Sequence, residues 1–205
     1  MEKCGISKSA LGRIPGYLNY IDSLPDEVQN ISATKIAKEL GLGEIQVRKD
    51  LSMVCKNGKP KVGYDRIELK NSLDAFLTSQ NGNAVIVGAG RLGKALLEYP
   101  GFETYGVKIE AAFDCSVKSE VVLPSGKKIM PVEGMKEFCA QNNINIGIIA
   151  TPSDAAQAVL NQLCECGIKL IWCFAQCRLY KPVDVTIQYE NLALSLAHLN
   201  LQSNQ

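Results

Sequence analysis

Six consecutive residues, Gly88-Ala89-Gly90-Arg91-Leu92-Gly93, form a G-x-G-x-x-G turn entered from the apolar run Ala84-Val85-Ile86-Val87. In that context the first glycine permits a tight turn and the second lets the backbone approach a pyrophosphate. The third packs helix against strand, and the N-terminus of the helix that follows favours an anion. Asp114 stands 21 positions after Gly93, at the end of the apolar stretch Val107 to Phe113. A carboxylate there accepts hydrogen bonds from a ribose 2′-hydroxyl and repels a 2′-phosphate, which predicts NAD(H) rather than NADP(H).

A second set of residues suits phosphates and base edges. Between Gln46 and Lys61 lie Arg48, Lys49, Lys56, Lys59 and Lys61 against one acid, Asp50. Gln46, Arg48, Lys49 and Ser52 fall on a helical pattern that begins at Glu44, directly after the short turn Gly41-Leu42-Gly43. The preceding helix opens at Ser32, a good cap, and carries Ala33, Ile36, Ala37 and Leu40 on one face. Two helices joined by a glycine-bearing turn, the second rich in Arg, Lys and Gln, read as a helix-turn-helix whose second helix enters the major groove of double-stranded DNA. There Arg and Gln reach base edges while Lys neutralises phosphate. Lys56 to Tyr64 then has the composition of a basic hairpin wing, with Lys59, Lys61 and Tyr64 as contact candidates.

The elements needed to position these groups follow from periodicity. A helix is expected over Gly12 to Leu24, with Pro15 either opening or kinking it. In the second helix of the pair, Ile45, Val47 or Leu51, and Val54 are expected to face inward. Arg66 to Leu77 reads as a closing helix and Gln80 to Asn83 as a linker. Beyond Val107 to Phe113 come a short strand at Ile129-Met130, a helix over Val132 to Asn142 and a strand over Ile144 to Ala150. A helix capped by Ser153 then runs through Cys164, followed by strands at Leu170 to Phe174 and Val183 to Ile187.

That alternation predicts an α/β chain in three parts: a winged helix-turn-helix domain over 1–80, a doubly wound Rossmann domain over 83–187, and a terminal dimerisation helix over 188–205. Ligands in such sheets gather at the carboxyl ends of strands, which selects Asp114, Thr151, Pro152, Phe174 and Ala175. Trp172 reads as core, and Phe174 fits core or pocket. The last helix, with Leu192, Leu194, Leu196, Leu199 and Leu201, is more apolar than one domain face needs, so a homodimer is expected.

Composition sets bounds. The 205 residues are 46% hydrophobic, enough to bury cores, and the net charge of +1 is by itself uninformative about partners. No run of 18 apolar residues occurs and MEKCGISKSALGR lacks the apolar segment of a secretory signal, so a cytoplasmic setting without membrane contact is expected. The eight cysteines are scattered and lack paired C-x2-C spacing, which points to reduced thiols and no metal. The single histidine, His198, lies on the terminal helix far from any strand end, so no catalytic base is evident; Lys or Tyr could substitute. A nucleotide- or coenzyme A-binding regulator or enzyme on the same sheet stays open as the alternative.

Several segments together resemble the Rex family of redox-sensing transcriptional repressors, over nearly the whole chain. They are Gly12-Arg13-Ile14-Pro15-Gly16-Tyr17-Leu18, Val47-Arg48-Lys49-Asp50-Leu51-Ser52, Val62-Gly63-Tyr64-Asp65, Val87 to Gly93, Tyr99-Pro100-Gly101-Phe102 and Ala111-Ala112-Phe113-Asp114. The resemblance implies a homodimer that exchanges its last helices, senses the NADH/NAD+ ratio, and releases its operator when NADH binds. It further implies that Arg48 and Lys49 contact DNA, that the glycine loop and Asp114 hold the dinucleotide, and that Arg13 and Tyr99 take part in switching. The chain departs from the family pattern at four places. Arg91 replaces an Asn, Met53-Val54-Cys55 replaces Tyr-Phe-Gly, Asn191 replaces an ion-pairing Asp, and Cys173-Phe174-Ala175-Gln176 replaces Asn-Phe-Ala-Pro. Cys173 reads either as a buried inert thiol or as a thiol sensor.

Overall fold

The computed structural model describes residues 7–79 and 82–202. Contacts divide the chain into two compact units that meet at Asn81/Gly82. The first contains α1 (Lys8–Asp22), α2 (Ala33–Glu39), α3 (Glu44–Val54) and α4 (Arg66–Thr78). Two strands of two residues each, β1 (Asn30–Ile31) and β2 (Tyr64–Asp65), pair antiparallel with Ile31 opposite Tyr64. Helix α1 starts four residues before the expected Gly12, because the Ser7 hydroxyl accepts from the Ala10 amide at 3.2 Å. Pro15 lies well inside it and neither opens nor ends it. Burial of Ile14, Tyr17, Leu18 and Ile21 in the unit's core supplies the packing that holds the helix together across the proline.

Ser32 caps α2 as expected, accepting from the Lys35 amide at 3.1 Å, and Gly41 turns the chain out at φ +64°. In α3 the inward residues are Val47, Asp50 and Leu51. The expectation for Ile45 is corrected: it is 71% exposed, since it lies two residues from Val47 and therefore on the far side of the helix. Asp65 caps α4 through the Glu68 amide at 2.9 Å. Between α3 and β2, an isolated antiparallel bridge joins Lys59 to Gly63 and closes the wing, with Lys61 at φ 64° on its tip.

The second unit is a seven-stranded sheet in the order β5-β6-β4-β3-β7-β8-β9. Its strands are β3 (Gly82–Val87), β4 (Val107–Asp114), β5 (Val121–Val122), β6 (Lys128–Pro131), β7 (Ile146–Ile149), β8 (Leu170–Cys173) and β9 (Thr186–Tyr189). All neighbours are parallel except β5 and β6. One face packs Val85, Val87, Ala111, Phe113 and Ile149 against α6 (Met135–Gln141) and α7 (Ala156–Glu165). The other packs Ala84, Ile86, Ala112 and Ile148 against Leu97 of α5 (Arg91–Glu98). Strand order reverses at β3, whose neighbours are β4 and β7, and a ligand crevice in a doubly wound sheet forms at such a point.

Several boundaries differ from those expected. Gly82 and Asn83, assigned to the linker, already pair with Val107 and Lys108 in β3, while Gln80 and Asn81 lie outside the described residues. Ser153 does not cap α7. A turn comes first, in which the Ala155 amide donates to the Pro152 carbonyl at 3.2 Å, so the helix begins at Ala156. The last strand falls at β9, later than Val183, because Val185 closes a turn onto Pro182 before Thr186 pairs with Leu170. The terminal helix α8 (Leu192–Gln202) begins three residues beyond Tyr189. Among the described residues no helix is long and apolar enough to cross a membrane, and no group of three or more His, Cys, Asp or Glu could hold a metal ion.

A nucleotide cradle and a candidate nucleic-acid interface

The three glycines of the motif have three different surroundings. Gly88 has φ +102°, and a Cβ there would stand 2.7 Å from the Ala150 carbonyl oxygen, so only glycine fits the turn out of β3. A Cβ on Gly93 would stand 1.9 Å from the Gly88 carbonyl oxygen, so helix and turn touch backbone to backbone. Around Gly90, by contrast, nothing lies within 4 Å of an added Cβ, and the residue is exposed at the cap of α5 with no side chain closing the helix end. The two outer glycines thus build the turn, and the middle one leaves open space over the first-turn amides.

Asp114 ends β4 beside this turn. Its Oδ2 accepts from the Ala89 amide at 2.7 Å, while Oδ1 accepts from the Ser116 amide at 2.8 Å and the Ser116 hydroxyl at 2.7 Å. Burial pushes its pKa up, yet the hydrogen bonds from Ser116 and Ala89 and the charge of Lys94 outweigh this and hold it below its ordinary value. It is a carboxylate at neutral pH, tied to the glycine loop through Ala89. Across the switch point, the Thr151 hydroxyl beyond β7 is buried with no hydrogen-bond partner among the described residues, and the Thr151 methyl group packs on Gly88. A buried hydroxyl without a partner is one that a water or a ligand atom can satisfy. Leu92 is half-buried, Arg91 exposed, Pro152 exposed and Ala175 buried. Phe174 is half-buried and packs edge-on against Trp172 at 4.5 Å; the ring contacts continue through Phe102 at 5.7 Å to Tyr99 at 5.1 Å.

In the first unit Gln46, Arg48, Lys49 and Ser52 are all exposed along α3, and Lys59 and Lys61 are exposed on the wing. Arg48 is paired one turn back with Glu44, and the Ser52 hydroxyl donates to the Lys49 carbonyl at 2.8 Å. A hollow of 610 Å³ between the start of α2 and the wing is lined by Ser32, Thr34, Arg48, Lys59 and Lys61, a surface that suits a phosphodiester strand. Tyr64 departs from the expectation: it is 7% exposed, with its ring against Gly58, so it props the wing from within.

The group that sequence reasoning missed is Asp50. It is 4% exposed on the inner face of α3, where Arg13 grips it twice, Nε to Oδ2 at 2.8 Å and Nη2 to Oδ1 at 3.0 Å. The Tyr17 hydroxyl donates to Oδ2 at 2.7 Å. Burial, followed by that hydrogen bond to Asp50, pushes Tyr17 up to about 12, and hydrogen bonding to Asp50 raises Arg13. The ion pair and hydroxyl fasten the recognition-type helix α3 to α1.

Comparison with known proteins follows the same division of the chain. A family model described as "CoA binding domain" matches residues 79–177, and one described as "Putative DNA-binding protein N-terminus" matches residues 5–52. The redox-sensing transcriptional repressor Rex of Clostridium perfringens is 34% identical over 200 residues, covering 97% of this chain and 94% of its own. That of Treponema denticola is 39% identical over 199 residues, covering 94% and 92%. Among solved structures, RSP in complex with β-NAD+ and operator DNA is similar with a TM-score of 0.84 at 32% identity, over 97% of this chain and 93% of that one. RSP in complex with β-NADH gives 0.83 at 32% identity, over 98% and 96%. This chain belongs to the Rex family of redox-sensing transcriptional repressors.

Against the Rex pattern, the departures at Asn191 and at Cys173 to Gln176 have defined surroundings here. Asn191 caps α8, its Oδ1 accepting from the Leu194 amide at 2.8 Å. Arg13 is paired with Asp50 inside its own unit. Cys173 is fully buried, its thiol directed at the Ala175 carbonyl oxygen at 3.8 Å, and burial raises its pKa, which matches the inert-thiol reading. Gln176 ties the loop after β8 to the chain before α8, donating to the carbonyls of Phe174 at 3.2 Å and Glu190 at 3.1 Å.

Proposed function

We propose that this Rex-family chain is an NAD(H)-responsive repressor that holds operator DNA with α3 and the wing and releases it when NADH binds. The observation that carries the reading is the glycine turn. Gly88 and Gly93 are packed against backbone while Gly90 stands open over the α5 amides, with the Asp114 carboxylate alongside. Gly90, Arg91, Leu92 and Gly93 would seat the pyrophosphate, Asp114 the adenosine ribose, and Thr151, Pro152, Phe174 and Ala175 the far end of the dinucleotide. When bound, the dinucleotide supplies a two-electron redox state that the protein reads without turning over a substrate. RSP, which has been crystallised with β-NAD+ and operator DNA and with β-NADH, supports both ligands by analogy.

Release is a population shift: NADH must favour the released form over the DNA-bound form, and reversing a 99:1 distribution needs about a 10⁴-fold difference in affinity. Gln46, Arg48, Lys49, Ser52, Lys59 and Lys61 would carry the DNA contact, with Arg13, Tyr99 and Asn191 in the switch. A homodimer fits the exposure of Leu192, Leu194, Leu196, Leu199 and Leu201 along α8, each above 60%. A wholly apolar hollow of 390 Å³ on the sheet, lined by Phe102, Ile146, Ile148 and Trp172, offers such leucines a seat. The seven described cysteines are all unpaired, in keeping with a cytoplasmic setting.

Coenzyme A is the second reading, favoured by the description of the family model over residues 79–177. Against it, the Asp114 carboxylate repels a phosphate carried on the ribose. The test is fluorescence anisotropy on a duplex selected from a random library, at fixed salt, titrated with NADH, NAD+ and coenzyme A. Release by NADH alone establishes the sensor; release by coenzyme A and not NADH replaces it.

A further inference from the structure

We propose that Gln46 meets its base pair as a hydrogen-bond donor only, because Arg13 holds its amide oxygen, so the operator presents guanine or thymine at that position. This rests on the reading of α3 as the operator-contacting helix. Gln46 lies one turn before Asp50 on α3, and its amide lies over the guanidinium that grips Asp50. A guanidinium has donors and no acceptor, so the amide turns its oxygen inward and accepts from Nη1 at 2.8 Å and Nη2 at 3.2 Å. An amide oxygen has two lone pairs, and both are engaged.

While α3 holds DNA, Arg13 does not swing aside cheaply. Its Nε and Nη2 are bound to a carboxylate that is 4% exposed and further fixed by the Tyr17 hydroxyl, so leaving would strand a buried charge. What Gln46 shows to solvent is therefore its NH2 group. A glutamine free to turn reads adenine by accepting from N6 while donating to N7. Here the accepting half is already spent. Guanine offers N7 and O6 to the two N–H groups and thymine offers O4; adenine offers N7 alone, with its N6 amino group left facing another donor, and the amino group of cytosine finds no acceptor. Arg13 touches no base in this scheme; it is a positioning residue that decides which end of the amide is displayed.

The test is selection of duplexes from a random library by the full-length chain, followed by the same selection with variants. The base pair whose preference disappears in Gln46→Ala should favour guanine or thymine over adenine and cytosine by about five- to tenfold in the parent chain. Gln46→Glu, an exposed change that leaves only acceptors, should invert that preference toward cytosine or adenine. Arg13→Met combined with Asp50→Asn removes both buried charges together and frees the amide, so adenine should rise to about the level of guanine. A merely structural role for Arg13 would lower affinity for every sequence without changing their order. Should the double variant not fold, the Gln46→Glu result decides alone. Selection of adenine by the parent chain, uniform weakening in Gln46→Ala, or an unchanged order in the double variant each overturns the inference. If no sequence is enriched at all, the operator reading fails and takes the inference with it.

Discussion

Replacing Gly90 by alanine should separate the nucleotide-binding job of the glycine turn from its folding job. The backbone at Gly90 has φ −67° and ψ −167°, and an added Cβ meets nothing within 4 Å, so the protein itself raises no steric objection. Two small effects oppose each other. A less flexible unfolded chain contributes about 0.4–1 kcal/mol, and a poorer cap on α5 costs roughly 0.5–1 kcal/mol. The net change stays within about 0.5 kcal/mol, which moves the melting temperature by no more than about 2 °C. NADH affinity should nonetheless fall at least about tenfold, or about 1.4 kcal/mol, because the methyl occupies the approach to the α5 amides.

Gly93→Ala is the contrasting control. Its Cβ would lie 1.9 Å from the Gly88 carbonyl oxygen, a clash with backbone that no rotamer relieves. Overpacking of that kind costs about 1–3 kcal/mol or more, which at about 2–4 °C per kcal/mol lowers the melting temperature by several degrees. Thermal unfolding and NADH fluorescence titration on both variants supply the readouts. Parent-like NADH affinity in Gly90→Ala would refute the pyrophosphate seat, and a melting temperature as depressed as that of Gly93→Ala would refute the open surroundings of Gly90.

Other consequences follow from the same geometry. Asp114 is held below its ordinary pKa, so its contribution is complete above the unfolded value and lost as pH falls through the folded one. Nucleotide affinity should therefore be level from about pH 8 to about pH 5 and drop only below about pH 4; an earlier drop, seen by calorimetric titration, would mean that another group controls it. Asp114→Asn should admit NADP(H) by removing the repelling charge, checked by competition against NADH. Lys59→Ala and Lys61→Ala should each weaken DNA binding for every sequence alike and reduce the slope of log K against log salt by about one; an unchanged slope would take the wing off the phosphates. Tyr17→Phe deletes a 2.7 Å hydrogen bond to a buried carboxylate. It should cost about 1.5–3 kcal/mol in denaturant unfolding, and a loss under about 0.5 kcal/mol would mean that Arg13 alone satisfies Asp50. Leu194→Glu with Leu196→Glu should shift a dimer toward monomer in light scattering, while an unchanged mass would place the subunit contact elsewhere.

Much of the molecule is legible in the amino-acid sequence, for local reasons. The glycine turn, the strand before it, the carboxylate 21 residues on, and the paired helices around Gly41 are set by short-range sterics, capping and periodicity within a few residues. Elements as short as β1, β2 and β5 are not legible, because two residues carry no periodic signal and exist only through their partners. The inward turn of Tyr64 and the outward turn of Ile45 are likewise decided by neighbours, since an aromatic beside a basic loop suits either a contact or a prop. Asp50 shows the limit most clearly. In sequence it is one acid in a charged run and reads as solvated; only the fold brings Arg13, 37 residues away, and Tyr17 close enough to offset the cost of its burial. The sequence by itself determined which chemistry the chain carries and in what order, because that chemistry is written in contiguous residues. Which end of Gln46 faces outward and which charge Arg13 answers were decided by tertiary structure, because each depends on an atom contributed by a distant part of the chain.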